Sequence, residues 1–309
     1  MRFVILSSLF FLMSLGSHET VASNIEISAI KNSMNQDGTG LLKDIQPSPL
    51  ISKDAVRPIT IDENSFIGDT SIRFELNSGD CGEEPKWSDC NNGRERTELI
   101  FAKETPREEK WYRFYLFFPS EHKQSHPSKL SIIQWKRFSE PSSTVLVMFQ
   151  HLAGGLVFNR NGGTFVDSYV QLVGEENLYN RWIEIVFNTN WNPSREKGYM
   201  RVWVDGKLSV NFKGRSHSLK AEKLSLRYGL YSSWINRFKL IAPNENVEKR
   251  VVYIDGVKAT KKCSDIFEEA YCGKLENQEV ATYQMFKYRK NKRNATPEDY
   301  YTITADKLM

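Results

Sequence analysis

Trp111-Tyr112-Arg113-Phe114-Tyr115-Leu116-Phe117 runs on into Phe118 and stops at Pro119. Successive side chains of a strand point to opposite faces, so Tyr112, Phe114 and Leu116 share one face and Trp111, Arg113 and Tyr115 the other. Proline has no N–H to give a ladder, which ends the strand at Phe118. The segment reads as a half-buried β-strand. Outward from it, from about Arg57, short runs rich in Val, Ile, Phe, Tyr and Trp alternate with Asn, Gly, Pro and Ser turns. Candidate strands are 71–76, 96–102, 110–118, 131–136, 144–152, 155–160, 168–173, 182–188, 199–204, 208–212, 224–231 and 251–258. Asp205-Gly206 marks a tight hairpin between two of them. Almost nothing here has helical periodicity. Many short antiparallel strands predict an all-β, concanavalin-like jelly-roll sandwich of two antiparallel sheets.

The flanks differ in character. Residues 24–54 are polar and weakly patterned, which predicts an exposed segment with one short strand. A helical pattern at 264–271 lies between two cysteines, and the chain turns polar and charged after Gly273. The expected organisation is therefore a leader at 1–23, a polar segment at 24–54, the β domain at 55–262, and a disulfide loop with a loosely held, helical or irregular extension at 263–309.

The leader sets the compartment. Met1-Arg2 is a short basic start, residues 3–15 are nearly all apolar, and Val21-Ala22-Ser23 offers small residues for cleavage. The apolar run is too short for a comfortable membrane span. The chain is thus expected to be secreted or periplasmic, with no membrane partner once the leader is gone. Export permits disulfides. Four cysteines allow three pairings, and the nine-residue separations of Cys81 from Cys90 and Cys263 from Cys272 suit two local staples. A zinc site is the competing reading, but eight-residue gaps and the lack of nearby histidines argue against it. The formal charge of +4 allows a polyanionic partner without demanding one. The basic run Arg289-Lys290-Asn291-Lys292-Arg293 is short enough to be simply solvated, so no nucleic-acid partner is expected. No cofactor, no metal and a monomer are expected.

Three candidate strands carry polar residues at alternate positions. Arg94, Arg96 and Glu98 share a face, as do Gln134 and Lys136, and as do Arg227, Gly229 and Tyr231. If these faces line one groove, it holds cations, an amide and a phenol. That set suits a carboxylate-bearing substrate from which a proton must be removed.

A family likeness rests on these residues. Arg96-Thr97-Glu98-Leu99, Gln134-Trp135 after an apolar strand, Trp191, Gly198, Arg201 through Lys207, Tyr228-Gly229-Leu230-Tyr231 and Tyr253-Ile254-Asp255-Gly256 come in one order. The chain resembles exported polysaccharide lyases of the heparin lyase I and glucuronan lyase type, with alginate lyases as jelly-roll relatives, over about residues 60–260. The resemblance implies β-elimination from a 4-linked uronic acid within an acidic polysaccharide. It assigns Arg96 and Gln134 to the substrate carboxylate and Tyr231 to proton transfer. Two positions depart from the family pattern: Lys136 stands where a histidine is expected, and Ile100 where an arginine often follows Glu-Leu.

The chemistry explains the residue types. The C5 proton is weakly acidic until the neighbouring carboxylate is neutralised by fixed donors such as Arg or an amide. A base then takes that proton and an acid protonates the leaving oxygen. A tyrosine, with an ordinary pKa of about 10, needs nearby cations to act as the base. Arg227 and Lys136 are expected to supply them, and Arg94, Glu98 and Arg227 to contact the substrate. Without the histidine, one tyrosine would serve as acid and base. That favours glucuronate or mannuronate, whose C5 hydrogen and leaving oxygen lie on the same side. His151, on the strand after Lys136, is a rival base. Trp234, just past Tyr231, is the candidate platform for a sugar ring, whereas Trp87 and the other tryptophans read as core. His122, His126 and His217 read as solvated loop residues. The competing functions are a non-catalytic binder of acidic glycans on the same fold, and a glycosidase, which would need a carboxyl partner facing Glu98.

Overall fold

The computed structural model describes residues 27–35, 40–106, 108–139, 142–160, 168–216, 223–279 and 285–286. The leader at 1–23, His217 and the basic run at 289–293 lie outside the described residues. In chain order the elements begin with α1 (Ile27–Asn35), β1 (Gln46–Pro47), β2 (Ile59–Asp62), β3 (Ser71–Leu76), β4 (Glu83–Glu84), β5 (Trp87–Ser88) and β6 (Arg94–Ile100). Next come β7 (Glu109–Phe117), β8 (Lys129–Ser139), β9 (Ser142–Leu152), β10 (Gly155–Arg160), β11 (Ser168–Gly174) and β12 (Trp182–Asn190). The last are β13 (Tyr199–Val204), β14 (Lys207–Lys213), β15 (Lys223–Ser233), α2 (Ile235–Ile241), β16 (Arg250–Thr260), α3 (Glu269–Glu276) and β17 (Met285–Phe286).

Two antiparallel sheets form a jelly-roll sandwich. One runs β1-β6-β15-β8-β9-β10-β11-β17, the other β14-β13-β12-β7-β16-β3-β2. β7, read first from the sequence, is the middle strand of the second sheet. Its Tyr112 and Phe114 meet Trp135 of the first sheet edge-on, at ring centroid distances of 5.0 and 6.0 Å. Trp135 also packs on Phe187 of β12 at 4.9 Å. This aromatic knot sits at the centre of the core and clamps the sheets together.

β7 is not half-buried: Lys110 through Leu116 are all buried, on both faces. The cover comes from the C-terminal segment. A disulfide joins Cys263 to Cys272, and both pack with Leu275 against Trp111, Val186, Trp203 and Leu208. Trp203 donates its indole N–H to the Leu275 carbonyl at 2.9 Å, and Tyr271 donates to Glu184 at 2.6 Å. Gln278 closes the Asp205-Gly206 hairpin, accepting from the Leu208 N–H and donating to the Gly206 carbonyl. After Gly273, where a loosely held extension was expected, residues 274–279 are docked through Leu275 and Gln278. The helical pattern at 264–271 appears as a short 3-10 turn at Cys263–Asp265 followed by α3.

The N-terminal segment also departs from expectation. Ile30 of α1, with Leu42, Ile45 and Ile51, is buried in the main core. Its apolar residues fall at irregular spacings among polar ones. That gives little strand-like alternation, yet Ile27, Ile30 and Met34 form one helical stripe. Among the described residues, no helix is long and apolar enough to cross a membrane.

Candidate active site

β6, β15 and β8 lie side by side, and each splits its residues between core and outer face. Leu224, Leu226, Tyr228 and Leu230 of β15 enter the core. Its other face carries Ser225, Arg227, Gly229 and Tyr231, of which Arg227 and Tyr231 stay partly exposed. Tyr228 is a core residue, set edge-on to Phe74 at 5.6 Å. Register pairs Tyr231 with Arg96 and Gly229 with Glu98 on one side. On the other, Tyr231 pairs with Ser131, Arg227 with Gln134 and Ser225 with Lys136. A register shift between Tyr228 and Tyr231 marks a bulge, a device that re-aims side chains beside functional sites. Gly229 is required there: its φ is +127°, and a Cβ would run into the Thr97 carbonyl oxygen. The polar face therefore brings Arg96, Glu98, Gln134, Lys136, Arg227 and Tyr231 together on neighbouring strands, as their alternation predicts. Glu98 and Gln134 are buried although they point away from the core.

An ion network runs across this face. Its anchor, Asp89, was not singled out from the sequence. Asp89 lies in the loop stapled by the Cys81–Cys90 disulfide and is fully buried. Arg96 donates to Asp89 through Nε and, at 2.9 Å, through a terminal nitrogen. Its other terminal nitrogen lies 3.4 Å from Glu98. Glu98 also accepts from the Gln134 amide nitrogen and sits 3.6 Å from Arg227. Arg96, assigned by resemblance to the substrate carboxylate, is thus already paired with two protein carboxylates. Its guanidinium lies 4.5 Å from the Tyr231 ring centroid, so it acts first on the phenol. The Nε atoms of Arg94 and Arg227 and the carbonyl oxygen of Gln134 are buried without a partner among the described residues. Four cations (Arg94, Arg96, Arg227 and Lys136) face two carboxylates here, a formal surplus of two positive charges.

Burial pushes the Tyr231 phenol above its ordinary range; Arg96 and then Arg94 offset part of that. Burial and the neighbouring Arg227 pull Lys136 down to about 8. Lys136 and Arg227 are not among the charges that act most strongly on Tyr231. Register gives the reason. Six residues of β15 separate the partners of Lys136 and Ser131, which at the rise of a strand is on the order of 15 Å or more. The cations that act most strongly on Tyr231 are Arg96 and Arg94 rather than the expected Arg227 and Lys136.

His151 is removed from the site. On β9, Gln150 takes the outer face, bonded to Ser131 and Asn159, so His151 turns inward. It is fully buried, hydrogen-bonded to His122 at 2.9 Å and to Glu175 at 2.8 Å. His122 is buried rather than solvated and bonds the Val251 backbone. Desolvation, then His151, holds the His122 pKa well below its ordinary value. An unfolded chain takes up a proton at His122 below about pH 6.5, and the folded one resists it, so stability falls with pH below that point. Denaturant unfolding between pH 7.5 and 5 is expected to show that loss. His122→Gln, less stable at pH 7.5, is expected to show a shallower slope.

Two tryptophans flank the Tyr231 end. Trp234 is half exposed, follows β15 directly, and lies 4.5 Å from the Arg237 guanidinium. Trp87, read as core from the sequence, is instead exposed. It donates its indole N–H to Asp89 at 2.8 Å and carries Arg94 over its ring at 5.1 Å. A stapled loop immediately before an arginine-rich strand was the available signal for both Trp87 and Asp89.

No curated protein sequence matches the chain. Among solved structures, an endo-β-1,4-glucuronan lyase from the fungus Trichoderma reesei aligns with a TM-score of 0.51 at 15% identity, over 74% of this chain and 95% of that one. A family 7 alginate lyase in complex with product gives 0.49 at 12% identity, over 67% and 85%. At such identities the first likeness speaks for the fold. The profile of the polysaccharide lyase family matches residues 45–258, from just before β1 into β16. That span is well over half of the chain, and the protein belongs to the polysaccharide lyase family.

Proposed function

We propose that the protein is an exported lyase that cleaves a 4-linked uronic-acid polysaccharide by β-elimination, with glucuronate or mannuronate at the reacting position. The observation that carries this reading is the isolation of Tyr231 from the other candidate bases. His151 lies behind the sheet, and Lys136 sits at the far end of the polar face. The Tyr231 phenol has Arg96 against its ring and Arg94 nearby. A single side chain must then take the C5 proton and return a proton to O4 as the C4–O4 bond breaks and the C4–C5 double bond forms. This works when the C5 hydrogen and O4 lie on one side of the ring, as in glucuronate and mannuronate. Arg94, stacked over Trp87 and acting on Tyr231, is the cation assigned to neutralise the carboxylate as charge moves onto it. The glucuronan lyase with the same fold acts on a polymer of this class.

The test is the ultraviolet absorbance of the unsaturated product on a panel of uronate polymers. Glucuronan or mannuronan is expected to be turned over faster than guluronan or iduronate-rich polymer. The reverse order sinks the one-tyrosine mechanism.

A further inference from the structure

The two staples differ in where they stand. Cys90 is exposed and Cys81 half-buried, whereas Cys263 and Cys272 lie in a hydrophobic cluster at 4% and 7% exposure. We propose that the Cys81–Cys90 disulfide is a reducible latch on the active site: a dithiol opens it in the folded protein, and the loop it closes then releases Arg94 and Arg96. As regulation of catalysis, this rests on the lyase reading of Tyr231.

The loop reaches the site through two side chains. Asp89, the neighbour of Cys90 in the chain, is fully buried and takes two hydrogen bonds from Arg96. Trp87 donates to Asp89 at 2.8 Å and has the Arg94 guanidinium over its ring. Arg96 and Arg94 are the cations that act most strongly on Tyr231. The ends of the loop are fixed. Gly82 lies so close to the Leu50 and Ile51 carbonyls that a Cβ there would run into them. The Gly93 carbonyl accepts from the Ile235 N–H at 3.0 Å. Between those ends the disulfide is the covalent restraint, and the other forces are weak. No residue from 81 to 93 belongs to the hydrophobic core. Glu83 to Trp87 are exposed. β4 and β5 pair over two residues each, and a lone two-stranded hairpin is marginal in water. The hydrogen bonds of Ser88 with Glu83, Asn91 and Asn92 are exposed. Main-chain bonds join Asp89 to Gly82, Asn92 and Arg94. The buried Asp89–Arg96 pair adds little net hold, because desolvating both charges offsets their attraction. Cleaving the disulfide therefore frees the segment that carries Trp87 and Asp89.

The opening is a two-electron exchange. One thiolate of the dithiol attacks the sulfur of Cys90; the S–S bond breaks, and Cys81 leaves as a thiolate that takes up a proton. The second thiol of the reagent attacks the mixed disulfide, closes the cyclic oxidised dithiol, and releases Cys90 as a thiol. The protein gains two electrons and two protons, and the dithiol loses both. Access sets the rate of the first attack, so the exposed staple opens ahead of the buried one.

The folded full-length protein is treated with dithiothreitol without denaturant, and free thiols are alkylated and mapped by mass spectrometry. Cys81 and Cys90 are expected to be labelled at least about tenfold faster than Cys263 and Cys272. Protein reduced at Cys81–Cys90 alone is expected to keep its β-sheet circular dichroism and to lose kcat on uronate polymer by about tenfold or more, since small misplacements of a positioned group are costly. Reoxidation restores kcat. Trypsin cleavage after Lys86, in the middle of the loop, is expected to accelerate by about tenfold, as local opening exposes the backbone. A Cys81→Ser, Cys90→Ser double variant is expected to match the reduced protein and to ignore dithiothreitol. Any of three results overturns the latch: Cys263–Cys272 opens first, kcat falls only when the circular dichroism of the sheets is lost, or protein reduced at Cys81–Cys90 alone keeps its kcat. Untreated protein that turns over no uronate polymer would refute the lyase reading instead. Labelling and cleavage still decide the latch in that case, and a Lys86 bond no more cleavable after reduction overturns it.

Discussion

Tyr231→Phe is expected to lower kcat by roughly 10²–10⁴-fold, the range set by removing a positioned acid–base group. The substitution keeps the ring on which the Arg96 guanidinium rests at 4.5 Å, so the network beneath it and the fold are expected to survive. Product absorbance measures the loss, and circular dichroism checks the fold. Full activity in this variant removes Tyr231 from the chemistry. The pH profile supplies an independent sign. Burial holds the phenol protonated beyond its ordinary range, which suits the acid step proposed for it. The phenolate needed for the base step grows as pH rises, so activity is expected to climb into the alkaline range. Arg94 and Arg96 both pull the phenol down. Arg94→Met therefore shifts that alkaline limb to higher pH.

Asp89→Asn is the second large effect. Asp89 is fully buried and takes two hydrogen bonds from Arg96, so losing its charge leaves a buried guanidinium with Glu98 as its remaining anion. Breaking a buried pair from one side typically costs about 3–5 kcal/mol. The retained contact to Glu98 places this variant near about 3 kcal/mol, read as a lower midpoint in denaturant at unchanged slope. A second readout separates positioning from simple instability. Asp89 raises the Tyr231 pKa, so its neutralisation moves the alkaline limb of the rate profile to lower pH, opposite to Arg94→Met. A variant that loses stability without moving that limb confines Asp89 to a structural role. The same pairing weighs against glycosidase chemistry: among the described residues, both carboxylates of this network, Asp89 and Glu98, are engaged by arginine.

The strands were legible because their signal is local. Candidate strands 71–76, 155–160 and 199–204 coincide with β3, β10 and β13, and the others differ by one to three residues at their ends. The two nearby cysteine pairs close as short staples. Alternation along one strand also sorted Arg96, Glu98, Gln134, Arg227 and Tyr231 onto outer faces, because a strand's side chains have a period of two wherever it is placed. What alternation misses is coverage from distant segments. β7 looked half-buried because nothing in 111–117 shows that Cys263, Cys272 and Leu275 will cover its outer face. His151 looked free to reach the groove because the face a strand turns toward the core depends on its partners.

The amino-acid sequence by itself pointed to the all-β class, the positions of the twelve longer strands, two local staples as the favoured pairing, and which polar side chains could share a face. Each follows from contacts between residues close in the chain. Only the tertiary structure decided that Tyr231 and Lys136 stand far apart, that Asp89 holds Arg96, and that Arg94 and Arg96 tune the phenol. The second of these depends on how the stapled loop folds over β6, and the first and last on register between strands far apart in the chain, such as Tyr231 with Ser131 and with Arg96. A shift of two residues there would keep every local pattern and bring different side chains together.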